Sequence, residues 1–343
     1  MDTKIITNPS EQDIDTLARA LRNGELVSIP TETVYGLGAN GLDPEAMDKI
    51  YAAKGRPSDN PLILHVPNSE SIKPLVTEIS ATAQALMDAF WPGPLTITLP
   101  KSDLVPDRAT GGLPRVALRC PDHKVCRALL ERAGIPIAAP SANISGRPSP
   151  TTAEDVYNDM NGRISYILDA GPCTIGVEST VVEVHDDKVI ILRPGGITKA
   201  QLERVVSTVE YDTALVNATT IPKAPGMKYT HYAPDAPMTV VVGSPEGVAH
   251  TFKELSEGIE GPIGCLVSHE TYNLIKEDGR FMCHCFGHHG DALALGHDFY
   301  KSLLHFNENH VTLILAEGVD DDGFGVAIMN RMEKASSHHI IYK

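Results

Sequence analysis

Basic charge is in short supply: 29 Lys and Arg stand against 44 Asp and Glu in 343 residues, a formal net charge of -15. A surface of that sign repels phosphate backbones, which argues against nonspecific nucleic-acid binding as the activity. Cysteine is scarce as well. The six, at positions 120, 126, 173, 265, 283 and 285, are too scattered for a disulfide framework and fit a reducing cytoplasm. Long apolar runs are missing. Nothing approaches the ~20 residues of a bilayer span, and the N-terminal MDTKIITNPSEQDID has no apolar core of a secretion signal. A soluble, non-secreted protein with no membrane partner is expected. No phosphate-loop pattern G-x-x-x-x-G-K-[ST] and no repeat period occurs.

What is present is enough apolar material, 42% of residues, to fill two cores in a chain of this length. Short β-rich runs alternate with amphipathic stretches: ELVSI (25–29), DPEAMDKIYAAKG (43–55), LILHV (62–66), ISATAQALMDAF (79–90), LTITL (95–99) and RVALR (115–119). That alternation reads as α/β. Asp122 is placed to cap a helix that Gly134 stops, IPIAAP (135–140) reads as a buried strand, and STVVEV (179–184) and KVIILRP (188–194) read as strands joined by a turn at 185–187. From about Tyr211 the pattern fails, and 211–237 reads as a proline-bearing linker between a first domain, 1–210, and a second, 238–343. The second alternates MTVVVG, IGCLVS, FMCHCFG and VTLILAEG with helical stretches, which predicts a small doubly wound, parallel domain. Charge divides unevenly in kind. Twelve of the fourteen arginines fall in 1–210, so a small anionic ligand is expected there, where a planar guanidinium can pair bidentately.

Candidate chemistry sits in the loops after strands. Thr31 and Thr33 offer hydroxyls at the end of ELVSI, and the glycines 36, 38 and 41 make a nominal G-x-G-x-x-G. Six residues separate that run from the strand, and Asp43-Pro44 opens the helix only after the last glycine, so a dinucleotide site is not expected. In KGRPSDNP (54–61), Lys54 and Gly55 are explained as a helix end and its cap. Arg56, Ser58 and Asn60 are not, and two cations on a proline-pinned loop could hold a triphosphate. His65 lies inside a strand, where most histidines are core residues. Arg115 and Arg119 share a strand face. PSANISGRPS (140–149), GVEST (176–180) and RPGG (193–196) are further post-strand loops. Cys283, His284, Cys285, His288 and His289 resemble metal ligands in composition, but no second cysteine pair completes a structural zinc site, so no metal site is expected.

PTETVYGLG, KGRPSDNPL, PSANISG, GVESTVV and ILRPGG, in this order and separation, closely resemble the threonylcarbamoyl-AMP synthase family, and KYTHYAP (228–234) resembles the interdomain motif of its long form. The likeness covers essentially the whole chain. It implies a twisted, mixed α/β sheet with a concave pocket (YrdC-like), a smaller Rossmann-like domain, and condensation of L-threonine, bicarbonate and ATP to threonylcarbamoyl-AMP and pyrophosphate, with Mg²⁺ accompanying ATP. The product would pass to separate proteins that modify tRNA, with little direct tRNA binding by this chain. By resemblance, Thr33, His65, Arg119, Ala139 and Ser179 line the threonine site. Lys54, Arg56, Asn60, Arg115, Ser141, Asn143, Ser149, Arg193 and Tyr232 meet ATP, with Lys54 and Arg56 neutralising the charge that develops during adenylyl transfer. The linker would form a lid over the pocket. An RNA-binding module and carbamoyl transfer to another acceptor are the competing readings; the acidic charge opposes the first, and the KYTHYAP linker the second.

Overall fold

The structure, a computed structural model, describes residues 2–186, 188–215 and 232–343. These form two compact units, one of residues 2–145, 149–174 and 178–215, the other of 146–148, 175–177 and 232–343. In the first, the strands are β1 (Lys4–Thr7), β2 (Val27–Ile29), β3 (Gly36–Asn40), β4 (Ile63–His65), β5 (Leu95–Pro100), β6 (Arg115–Arg119), β7 (Ile137–Ala138), β8 (Tyr166–Asp169), β9 (Thr180–Val184), β10 (Val189–Arg193) and β11 (Val209–Tyr211). They join in one mixed sheet, ordered β1-β8-β2-β3-β7-β4-β6-β5-β9-β10-β11. Apolar side chains cover both faces. Val27, Ile29 and Ile137 pack with Leu17 and Leu21 of the helix Glu11–Arg22 and with Leu129 and Leu130 of the helix Lys124–Ala133. Tyr35, Leu37, Leu64, Ile97 and Leu118 belong to a larger cluster that takes in Ile50 of the helix Pro44–Lys54 and Leu86 of the helix Ala81–Phe90.

Two local expectations are corrected. GLGAN is no loop but strand β3, paired antiparallel with β2. Its glycines conceal the strand from a propensity reading, and they are needed: a Cβ on Gly38 would stand 2.9 Å from Val27 O and 3.0 Å from Ile137 Cγ2. The helix after β6 is capped by His123 and not by Asp122, with His123 Nδ1 accepting the Cys126 N–H at 3.3 Å. Asp43 and Pro44 do open the next helix, as N-cap and first turn, and Gly55 ends it in the left-handed conformation at φ 62°.

In the second unit β12 (Met238–Val242), β13 (Ile263–Ser268), β14 (Phe281–Gly287), β15 (Leu313–Glu317) and β16 (Ile340–Tyr342) are ordered β14-β13-β15-β12-β16. Every pairing among them is parallel, as a doubly wound domain requires. Val241, Phe252, Cys265, Val267 and Leu315 fill its core. Within the expected linker, Tyr211 still belongs to β11 and a 3₁₀ turn spans Thr213–Leu215. Residues 216–231, and with them the Lys228–His231 part of the expected lid, lie outside the described residues.

Candidate active site

The sheet register of the first unit sets several of the candidate side chains at one level. His65 pairs with Ile137 of β7 on one side and Arg119 of β6 on the other; Arg119 pairs with Thr96 of β5, Thr96 with Val181 of β9, and Val181 with Arg193 of β10. At ~4.8 Å per strand, the row from His65 to Arg193 extends roughly 19 Å, long enough for an amino acid and part of a nucleotide side by side. All of its polar members are buried.

At one end stand three titratable groups. Arg119 and Glu32 approach to 2.8 Å, each with its side chain no more than 7% exposed. The pair is close but outside hydrogen-bonding alignment: Glu32 Oε1 and Oε2 and Arg119 Nε and Nη2 have no hydrogen-bond partner among the described residues. His65 Nδ1 lies 3.2 Å from Ile63 O, the carbonyl that also accepts the Ala139 N–H at 3.0 Å. Burial, reinforced by the Arg119 charge, pushes His65 down to about 3, so it is neutral at physiological pH. Thr33 is buried beside them at the turn after β2, its hydroxyl 2.9 Å from that of Thr31.

At the other end, Ser179 and Thr96 share a hydrogen bond between hydroxyls at 2.8 Å. Arg193 donates through Nε and Nη2 to Ser179 O, at 3.2 and 2.9 Å, and through Nη2 to Ser179 Oγ at 3.2 Å. The guanidinium therefore holds Ser179 in place. Gly195 makes this possible, because a Cβ there would press into the backbone of Glu178, Ser179 and Thr180. Ser149 Oγ donates to Glu178 Oε1 at 2.7 Å, which places a further buried carboxylate next to the row.

Lys54, expected to meet ATP, stands at the end of its helix with its ammonium turned to the PSAN loop. It is 2% exposed, and its Nζ donates to Ser141 O at 2.5 Å and Asn143 O at 2.6 Å, with Asn143 Oδ1 at 3.4 Å. The ammonium thus ties the end of the helix Pro44–Lys54 to the PSAN loop, and Ser145 N–H returns a bond to Lys54 O at 2.8 Å. Burial, with the Arg56 charge adding to it, holds Lys54 well below the usual lysine range. Arg56 Nη2 donates to Pro61 O at 3.1 Å, closing the 56–61 loop over Asn60, which is buried and whose carbonyl accepts the Tyr51 hydroxyl at 3.1 Å.

Two candidates are not members of the row. Arg115 begins the strand that Arg119 ends, four residues or ~13 Å along it. Its Nη2 donates to Thr98 O and Val184 O, both at 2.7 Å, in a cavity of about 330 Å³ that also includes Glu78, Ser80 and His185. The two guanidiniums therefore meet different neighbours, Thr98 O and Val184 O for one and Glu32 for the other. Tyr232 belongs to the second unit, where it is buried, with its ring 5.3 Å from Tyr300 and the Arg331 guanidinium 5.8 Å from its centroid. In that unit the cysteine and histidine run is spent on local partners: Cys283 pairs in register with Cys265, His284 bonds Asp298, His288 bonds Glu270 and His289 bonds Glu317. Among the described residues no group of three or more His, Cys, Asp and Glu is placed to hold a metal ion.

Residue patterns alone missed Glu32, Thr96 and Glu178. Thr96 left a signal, a polar residue at period 2 with Thr98 in an apolar strand that turns out to be buried on both faces. The two glutamates lie inside motifs whose hydroxyl residues drew the attention.

Comparison with known proteins extends the likeness over both units. Residues 19–195 match the Sua5_yciO_yrdC family model, described as "Telomere recombination", and residues 197–337 match Sua5_C, "Threonylcarbamoyl-AMP synthase, C-terminal domain". A threonylcarbamoyl-AMP synthase of Bacillus subtilis is 46% identical over 97% of this chain and 95% of its own length. One of Pyrococcus abyssi is 44% identical, covering 96% of each. The crystal structure of P. abyssi Sua5 complexed with L-threonine superposes with a TM-score of 0.91 at 42% identity, over 99% of this chain and 100% of that one. With both family models matched in order along one chain, and relatives alike over nearly their whole length, this protein belongs to the threonylcarbamoyl-AMP synthase (Sua5/YrdC) family.

Proposed function

We propose that the chain condenses L-threonine, bicarbonate and ATP into threonylcarbamoyl-AMP and pyrophosphate, a nucleotidyl transfer carried out in the cytoplasm. The observation that carries this reading is the row of buried polar groups at one level of the sheet, from His65 and Arg119 through Thr96 and Ser179 to Arg193. Within it Arg119, with Nε and Nη2 lacking hydrogen-bond partners among the described residues, is expensive to keep buried until a polar ligand meets it. Arg119 suits the carboxylate of threonine. The hydroxyls of Thr33 and Ser179 suit its side chain, and neutral His65 adds polarity without a competing charge. A site built to bond a hydroxyl rejects analogues without one.

In the reaction the threonine amine attacks the carbon of bicarbonate-derived carbon dioxide, giving a carbamate. A carbamate oxygen then attacks the α-phosphorus of ATP, and the bond to pyrophosphate breaks. The protein's share is to position reactants and exclude water. Arg56, Asn60, Ser141, Asn143, Ser149, Arg115, Arg193 and Tyr232 are the proposed nucleotide contacts. Lys54 acts by fixing Ser141 and Asn143 in place. Mg²⁺ would ride on the ATP phosphates and neutralise charge gathering on the leaving pyrophosphate. The product would be consumed by separate proteins that carry the threonylcarbamoyl group to adenosine in tRNA. Pyrophosphate release measured with each substrate left out in turn tests this: all three are required, and serine is the poorer substrate. Equal release without threonine would overturn it.

A further inference from the structure

The turn that follows β2 is rigid for a reason unrelated to its hydroxyls' fitness for substrate. Thr31 Oγ1 accepts the N–H groups of Thr33 and Val34 at 3.1 and 3.2 Å and donates to Val34 O at 2.6 Å, while the Thr174 N–H donates to Glu32 O at 3.1 Å. The residue so fixed on both sides is Glu32. Its carboxylate is turned to Arg119 in the interior, 2.8 Å away, and neither of its oxygens has a hydrogen-bond partner among the described residues. A buried carboxylate ordinarily collects hydrogen bonds, and a buried ion pair stays weak until its remaining lone pairs and protons are satisfied. Here both partners keep open positions, two oxygens on one and Nε and Nη2 on the other.

An α-amino acid carries the complementary pair on a single carbon, a carboxylate and an amino group. We propose that Glu32 is a specificity-determining residue of the threonine site: it accepts hydrogen bonds from the substrate's amino group while Arg119 takes the carboxylate, and the two side chains hold each other when the site is empty. The inference rests on the reading of this site as a threonine pocket. Glu32 thereby selects ligands with a free amino group and rejects 2-hydroxy acids, and it holds the nitrogen that has to attack at a set distance from the Arg119 anchor. A 2-hydroxy acid offers the carboxylate one neutral O–H in place of several N–H donors and a positive charge, so part of its desolvation stays unmet, which is how a buried polar site penalises the wrong ligand.

The test is calorimetric titration of the full chain with L-threonine and with 2,3-dihydroxybutanoate, in which a hydroxyl replaces the amine. The wild type is expected to prefer threonine by roughly 10- to 100-fold, the span of a hydrogen bond to a buried charge. Glu32→Gln should bring the two ligands to within ~3-fold, chiefly by losing threonine affinity. Glu32→Asp, which keeps the charge but withdraws it by one methylene, should fall between and decides the matter if the glutamine variant does not fold. A merely structural Glu32 would weaken both ligands alike and leave the ratio untouched. A wild type indifferent to the amine, or an unchanged ratio in both variants, overturns the proposal while the threonine reading stands; a wild type that binds no threonine overturns that reading and this proposal with it.

Discussion

Replacing His65 by glutamine, which cannot take a proton, should remove a pH dependence from the stability of the first unit. His65 is wholly buried, and the cost of burying an imidazolium beside Arg119 lowers it from 6.5 to about 3. Between those values the unfolded chain binds a proton that the folded chain does not, so stability is fully present above about pH 6.5 and is lost as pH falls. Going from pH 7 to pH 5 should therefore cost the wild type about 2 kcal/mol through this residue alone, rising to about 4 kcal/mol by pH 3. Urea unfolding can follow it through Trp91, the single tryptophan of the chain, which lies in the same unit and donates to Leu95 O at 2.7 Å. The prediction concerns the difference between the two proteins, so carboxylates that titrate in both cancel. At pH 7 the variant is less stable by its lost packing. At pH 5 that gap should have closed by about 2 kcal/mol. Curves that stay parallel would mean that His65 takes up its proton in the fold as readily as in the unfolded chain, and the account of it as a desolvated group held neutral in the threonine pocket would fail.

Lys54→Met keeps the length of the side chain but leaves Ser141 O and Asn143 O without their donor; the folded state should lose about 2 kcal/mol or more, and product formation should fall further than threonine affinity, which calorimetry and pyrophosphate assays read separately. Arg119→Lys retains a charge but not the planar fork, so KM for threonine should rise ~10-fold or more with KM for ATP little changed. Gly195→Ala should displace Ser179 and Arg193 together, lowering the midpoint of urea unfolding by an amount equal to about 1–3 kcal/mol and weakening threonine binding in the same variant, whereas Gly112→Ala, with open space at its Cβ, should cost stability through its positive φ alone.

Hydrophobic periodicity made the larger elements legible. The helix Pro44–Lys54 with its Asp43 cap, the strand RVALR and the parallel domain after residue 237 all lie where their patterns put them. β3 was hidden because two of its five residues are glycines chosen for close backbone approach, a tertiary requirement that outranks strand propensity. The edge strands β1 and β11 were hidden because they are short and expose much of their surface. At the site, residue type announced which side chains carry charge, but not where the charge is spent. Lys54 and Arg56 look equivalent in the chain; in the fold one is sealed under the PSAN loop and the other closes its own loop by bonding Pro61 O. Arg115 and Arg119 share a strand face yet serve different neighbourhoods, because a guanidinium at the start of β6 finds the carbonyls of β5 and β9 while the one at its end finds Glu32.

The central claim is that threonine nitrogen, bicarbonate carbon and adenylate phosphorus end in one molecule. Incubating the full chain with L-threonine, ATP and ¹³C-bicarbonate, then quenching and separating the products for mass spectrometry, tests it most directly. The account predicts threonylcarbamoyl-AMP one mass unit heavier than from ordinary bicarbonate, formed together with pyrophosphate. AMP and pyrophosphate without labelled adduct, or threonyl-AMP lacking the label, would contradict it.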